Sequence, residues 1–351
     1  MSTALDLRQF SRREFLRLSG TTLIALLALG KPSLAHADSN LSQQLSAQYG
    51  RITKNKVKLF DQPGSSNNTI RTLQLDEVYS ITKSALSQGD PPGNQVWYEL
   101  NGEGFVHSGS VQPVEDNLST PVEIVPTVGL LSEISVPFSD PIWDLEDQQT
   151  TANRLYYGTT HWILNSVRDS AGNRWYLVLE DFYQKQYYVN AKHLRVIPFS
   201  ETTTLSPQVP AIEKRIDVRL EDQLVIAYEG DNPVQLFRCS AGISRGYESL
   251  TPTGDFRTDY KRPSRHMIDG NDHQMNTYNL PGVPWISYLD ENGVAFHGTY
   301  WHNNFGVPMS HGCINLPTPA AKWIYRWTLP NVPYFEQRAY KEFSGTKITI
   351  K

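Results

Sequence analysis

Cysteine is nearly absent from this 351-residue chain. Two thiols exclude a disulfide framework and a Cys-rich structural zinc site. Charge is thin as well, at 19% of residues, with 32 basic against 36 acidic side chains and a formal net charge of −4. No basic block stands out, which argues against a nucleic-acid partner, because phosphate binding needs clustered Lys and Arg. Long apolar runs are missing too. The best candidate, Leu18–Leu29, spans about 18 Å as a helix, short of a bilayer core of about 30 Å. What the chain does have is 39% hydrophobic residues, 8 Trp, 18 Tyr, 22 Pro and 23 Gly. That mixture supplies real cores and predicts β-rich structure with many turns, in two or three units.

The N-terminus reads as an address. Ser11-Arg12-Arg13-Glu14-Phe15-Leu16-Arg17 has the form of a twin-arginine export signal, Leu18–Leu29 supplies the apolar stretch, and Ala35-His36-Ala37 the cleavage spacing. Residues 1–37 hold five basic and two acidic side chains, so their removal takes the net charge from −4 to −7. The mature chain is expected outside the cytoplasmic membrane, at the cell wall or in the periplasm, with no stable transmembrane segment after processing.

A polar linker is expected over 38–48. From 49 to 115, short apolar runs alternate with turn signals such as Pro63-Gly64 and Pro91-Pro92-Gly93, the pattern of a small all-β barrel. A second unit, 121–198, repeats its ending. Gly93-Asn94-Gln95-Val96-Trp97-Tyr98 corresponds to Gly172-Asn173-Arg174-Trp175-Tyr176, and each leads into an aromatic-Val strand and a short closing strand, an internal duplication. Trp97 and Trp175 are expected in the two cores. A Thr/Ser/Pro-rich linker spans 199–211. In the last unit, 212–351, Arg215–Leu220 and Gln223–Tyr228 read as a hairpin. Thr318 is expected to cap a helix with Pro319 at its first position, and Ala320, Trp323, Ile324 and Trp327 form one apolar face. The fold class is therefore mainly β with at least one helix.

The dense chemistry lies between His297 and Asn315: His297-Gly298-Thr299-Tyr300-Trp301-His302 and Ser310-His311-Gly312-Cys313-Ile314-Asn315. On residue types alone, Cys313 is a nucleophile activated by a nearby imidazole, with backbone N–H groups around it to hold an oxyanion. The alternative is zinc held by His297, His302, His311 and Cys313, but H-x4-H-x8-H-x-C matches no common zinc pattern. His311 lies nearer to Cys313 in sequence than His297 does, so the residues by themselves leave two candidate bases. Cys239, among alternating strand residues, is expected to be a buried core thiol, and His266 and His273 solvated residues of a lid.

Ser310-His311-Gly312-Cys313-Ile314-Asn315, with His297-Gly298 sixteen residues before the cysteine, resembles the signature of L,D-transpeptidases with a YkuD-type catalytic domain. Thr251-Pro252-Thr253-Gly254 and Leu280-Pro281-Gly282-Val283-Pro284-Trp285 are similar to further elements of that family, while units 49–115 and 121–198 resemble bacterial SH3-like domains. The resemblance implies two SH3-like β-barrels followed by the catalytic domain. It implies Cys313 as acyl-enzyme nucleophile and His297 as general base, oriented by the Gly298 carbonyl. His311, Gly312 and Ser310 would shape the nucleophile loop and oxyanion hole. Asn315 would meet substrate, and Trp301, Tyr278 and Met267 would line the cleft. Its implied partners are peptidoglycan stem peptides, joined by 3→3 cross-links, with no cofactor and no metal. Three rivals remain: an L,D-carboxypeptidase of the same fold, a non-catalytic wall-binding protein, and an amidase-type cysteine peptidase. The last places its Cys ahead of its His, the reverse of the order here.

Overall fold

Strand-forming runs broken by Gly, Pro and Asn turns give the chain its β character. The computed structural model describes residues 49–88, 91–151, 153–242, 250–268 and 278–351. The expected export signal and the linker at 38–48 lie outside the described residues, as does His273. The first unit holds β1 (Tyr49–Ile52), β2 (Val57–Phe60), β3 (Thr69–Leu73), β4 (Val78–Leu86), β5 (Val96–Leu100), β6 (Gly104–His107) and β7 (Val111–Val114), in the order β3-β2-β6-β5-β4-β1-β7. The second holds β8 (Leu130–Ile134), β9 (Phe138–Ser139), β10 (Leu155–Tyr156), β11 (Thr160–Arg168), β12 (Arg174–Glu180), β13 (Lys185–Asn190) and β14 (Leu194–Val196). Its main sheet runs β13-β12-β11-β8-β14, with β9 and β10 as a separate pair. Five strands of the first sheet, β6-β5-β4-β1-β7, repeat this order, so the duplication read from the Trp-Tyr segments extends to topology.

Closed barrels are not formed. A sheet closes only when its edge strands meet with matched stagger. Among the described residues, β3 bonds only to β2 and β7 only to β1, and β13 and β14 are likewise unjoined. In the second unit the 140–151 insertion lies between β9 and β10, which form a separate ladder, and Ile142 in the insertion bridges to Tyr188 of β13 by two backbone hydrogen bonds. The tryptophans also part company. Trp97 is buried, whereas Trp175 is half-exposed and Tyr176 takes the core position. Successive strand residues face opposite sides, so an offset of one residue exchanges the two rings.

Beyond a short 3₁₀ turn at Phe199–Glu201, the last unit has two five-stranded sheets. Their strands are β15 (Lys214–Arg219), β16 (Leu224–Glu229), β17 (Asn232–Arg238), β18 (Gly254–Arg257), β19 (Tyr260–Ile268), β20 (Asn279–Tyr288), β21 (Ala295–Gly298) and β22 (Ile314–Leu316), then β23 (Ala339–Tyr340) and β24 (Lys347–Ile350). The orders are β17-β16-β15-β24-β18 and β22-β21-β20-β19-β23. Helix α1 (Thr318–Trp327) packs against them, burying Ala320, Ile324 and Trp327, while Trp323 stacks on Trp327. It starts one residue earlier than expected. Pro317 O takes the first N–H bonds, from Ala320 and Ala321, which makes Pro317 the cap.

The units share cores. Leu131, Trp162 and Ile197 of the second lie in the same cluster as Trp285, Phe296 and Ile324 of the third. The described residues from 49 onward accordingly fall in one compact unit. Among them, no helix is long and apolar enough to cross a membrane.

Candidate active site

β21 and β22 pair in parallel, with His297 opposite Asn315 and Gly298 opposite Leu316. Extending that register back by one pair along the same face sets Cys313 beside Ala295, on the side of the sheet that carries His297. Cys313 borders the same apolar cluster as Trp301, and the Trp301 ring packs on His297.

His297 is 3% exposed, and its Nδ1 lies 3.0 Å from the Gly298 carbonyl. A carbonyl can only accept, so Nδ1 carries the proton and Nε2 keeps its lone pair. Burial pushes the imidazolium pKa down to about 4, partly offset by that hydrogen bond. The Trp301 ring packs 5.7 Å from it. Gly298 is required by space: a Cβ there would sit 2.7 Å from Pro284 Cγ and 3.1 Å from Thr318 Oγ1.

Cys313 is half-buried, and its thiol faces the Gly293 carbonyl at 3.5 Å. Burial raises its pKa to about 11. The Ala295 N–H opposes that rise and the Asp290 carboxylate adds to it. The resting pair is thus a neutral thiol and a neutral imidazole. Gly312 has φ +129°, a left-handed backbone that favours glycine, while little would obstruct a Cβ.

The loop before Cys313 is tied down on several sides. Ser310 Oγ donates to the Cys313 carbonyl and accepts the Gly312 N–H at 3.2 Å. Thr251 Oγ1, in the Thr-Pro-Thr-Gly element, donates to the Gly312 carbonyl at 2.8 Å and accepts the Gly242 N–H at 2.8 Å. The N–H groups of Met309 and Ser310 reach Ala241 O, and Ser240 exchanges both backbone bonds with Asn315. The strand end at 239–242 is thereby a rail for the loop that carries Cys313.

The remaining candidates spread around this centre. His311 is exposed, its ring 5.7 Å from that of Tyr278. Met267 and Trp301 pack on the apolar cluster that also touches Cys313. Asn315 is buried, and its amide meets His302 Nε2 at 2.9 Å, while His302 Nδ1 accepts the Asn304 N–H at 3.2 Å. His302, buried with its pKa lowered to about 4 by desolvation and by His297, therefore has both ring nitrogens engaged. Among the described residues, no group of three or more His, Cys, Asp or Glu is placed to hold a metal.

Cys239 is a free, fully buried core thiol, raised to about 12 by desolvation, and Cys313 is free as well. His266 departs from the expected solvated lid. It is 2% exposed on β19, bonding the Glu180 carboxylate through Nδ1, with Nε2 2.5 Å from Asn279 Oδ1. An acceptor supplied by the second unit, 86 residues away, makes that burial tolerable.

Residues 213–350 match the YkuD family model, the L,D-transpeptidase catalytic domain. The class of this segment is therefore an L,D-transpeptidase-type domain. A curated relative, YciB of Bacillus subtilis (strain 168), whose name carries the L,D-transpeptidase assignment, is 27% identical over 128 residues, 34% of this chain and 60% of its own length. The chain thus spans about 60% of that relative's length. L,D-transpeptidase 3 from Mycobacterium tuberculosis, solved with a faropenem-derived adduct, is 16% identical, with 40% of this chain and 60% of that one covered and a TM-score of 0.31. The catalytic domain of the Enterococcus faecium L,D-transpeptidase is 23% identical over 39% of this chain and 96% of its own, with a TM-score of 0.30.

Proposed function

We propose that the protein is an exported peptidoglycan L,D-transpeptidase that forms 3→3 cross-links, leaving the cytoplasm by the twin-arginine route and working peripherally at the wall. The carrying observation is the His297 Nδ1–H bond to Gly298 O. It leaves Nε2 as the free base on the strand beside the cysteine loop, within the segment that matches the family. In this reading, substrate binding brings the scissile L,D carbonyl to Cys313. Nε2 takes the thiol proton as sulfur adds to the carbonyl carbon, and loop N–H groups hold the oxyanion. The C–N bond then breaks, D-Ala leaves with the proton from His297, and a thioester remains. A side-chain amine of another stem attacks the thioester, the new amide forms, and the thiol returns. His311 and Gly312 shape the loop, Ser310 sets its backbone, and Trp301, Tyr278, Met267 and Asn315 border the substrate cleft. The two repeated β units are the SH3-like modules of this enzyme.

The test is intact-mass measurement of the mature protein after incubation with a carbapenem, with D-Ala release from disaccharide-tetrapeptide run in parallel. A covalent adduct and D-Ala release, both lost in Cys313→Ala, are expected. Neither adduct nor release from the unaltered protein would overturn the reading.

A further inference from the structure

The loop between the two active-site strands is gripped from outside the catalytic segment. Arg51, on β1 of the first unit, is 2% exposed. Its Nη2 donates to the Tyr300 carbonyl at 2.7 Å and to Gln112 Oε1 at 2.8 Å. Nε donates to the same Gln112 oxygen at 3.0 Å, and Nη1 to Asp76 Oδ1 at 2.7 Å. The guanidinium lies 4.0 Å over the Tyr156 ring, and Tyr156 in turn stacks on Tyr300 at 5.3 Å. Both the main chain and the ring of Tyr300 are therefore held. Arginine stays charged when buried, so its planar fork is a fixed template rather than a titrating contact.

Two further segments of the first unit grip the same loop. The Asn303 N–H donates to Gly109 O at 3.3 Å, and Asn94 Nδ2 donates to Asn304 Oδ1 at 3.1 Å. Gly93 and Gly306 meet so closely that a Cβ on Gly93 would stand 2.8 Å from Gly306 O. Between these grips the loop carries Trp301, whose ring walls His297, and His302, which ties Asn315 beside His297 in the strand register.

We propose that Arg51 is a positioning residue of the active site: through Tyr300 it fixes the 299–306 loop, so that Trp301 keeps water from His297 and His302 holds Asn315. The first β unit is then part of the catalytic machinery as well as a module beside it. This rests on reading Cys313 and His297 as nucleophile and base. The chemistry needs it because a base on a strand end has a defined direction only while the loop that follows is still, and a misplacement of about 1 Å lowers rate about 100-fold.

The experiment compares Arg51→Gln and Arg51→Lys in the full mature chain, with folding checked by thermal melting. For Arg51→Gln, kcat for D-Ala release is expected to fall about 10- to 100-fold, with donor KM little changed. The acid limb of kcat/KM is expected to lie near the lowered His297 pKa of about 4 in the unaltered protein and to move towards 6.5 in the variant as water reaches the ring. His302 is the other titratable ring facing His297, so its titration is followed by NMR in the same samples. Arg51→Lys, which keeps a cation for Asp76 and Tyr300 but not the fork, is expected to recover part of the loss. Unchanged kcat and acid limb in a folded Arg51→Gln would overturn the proposal. Should Arg51→Gln not fold, the same null result in Arg51→Lys, which lacks the fork, would do so. If the unaltered protein neither forms the carbapenem adduct nor releases D-Ala, the transpeptidase reading fails, and the His297 titration by NMR still decides the loop proposal.

Discussion

Cys313 and His297 are each held in the uncharged form by the same cause, loss of water around the charged state. A thiol at about 11 beside an imidazole at about 4 does not store a thiolate. In the proposed reaction, proton transfer therefore accompanies attack, with Nε2 already presented by the bond to Gly298. This yields a direct expectation for alkylation. The rate of Cys313 modification by iodoacetamide should keep rising with pH from 7 towards 11, while Cys239 reacts only after unfolding. Peptide mapping by mass spectrometry measures both. A plateau of Cys313 reactivity near neutral pH would instead mean a standing thiolate–imidazolium pair. At this scale Cys313, His297, Gly298 and Gly312 stand out in the sequence because a local motif carries them. The engaged state of His302 does not, since His302 and its partner Asn315 are neighbours only once β21 and β22 pair.

Among the elements, the rail at 239–242 and the Thr-Pro-Thr-Gly turn hold the Cys313 loop by main-chain bonds, with one side chain, Thr251, bridging Gly242 and Gly312. Replacing that hydroxyl by a methyl leaves the part-buried Gly242 N–H and the buried Gly312 carbonyl without their partner. Thr251→Val is expected to lower stability by about 1–3 kcal/mol in urea unfolding and to slow carbapenem acylation of Cys313. Thr251→Ser, which keeps the oxygen, should restore most of both, and equal behaviour of the two variants would remove the bridge from the account. Helix α1 shows a comparable arrangement at its C-terminus. Lys261 Nζ donates to the carbonyls of Tyr325 and Thr328, and Lys214 Nζ to that of Trp327, meeting orphan acceptors where the helix dipole favours a cation. The apolar face of this helix was readable from its spacing. Its two lysine partners were not, because they come from strands far away in the chain.

Over the whole molecule, three buried histidines set the acid limit. His161 is lowered to about 3, and His297 and His302 to about 4, all by desolvation first. A folded pKa below the unfolded value near 6.5 means that the unfolded chain binds more protons between those values. The contribution to stability is complete above about 6.5 and is lost as pH falls towards 4, and for His161 towards 3, on the order of 3 to 5 kcal/mol per residue at full loss. Glu201, lowered to about 2 by Arg195 and then Lys322, adds a loss in the same direction below 4.5. Urea midpoints at pH 7 and pH 4.5 should therefore differ markedly, with the lower value at pH 4.5. Equal midpoints would show these rings to be solvated. His161 sits where the second unit meets β20: a Cβ on Gly282 would come within 2.3 Å of its ring, so the join between units leaves no room there.

Element types, the duplicated β units and the family signature of the His-Gly and Ser-His-Gly-Cys segments follow from the sequence by itself, because short-range backbone preference, periodicity and motif need only neighbouring residues. Tertiary structure alone decided the rest. It leaves the sheets of the β units open, trades Trp175 for Tyr176 in a core, and buries His266 against Glu180. It also sets Arg51 under Tyr300, 249 residues away. Those outcomes depend on which distant surfaces exclude water from each other, and no local pattern encodes the partner across that distance.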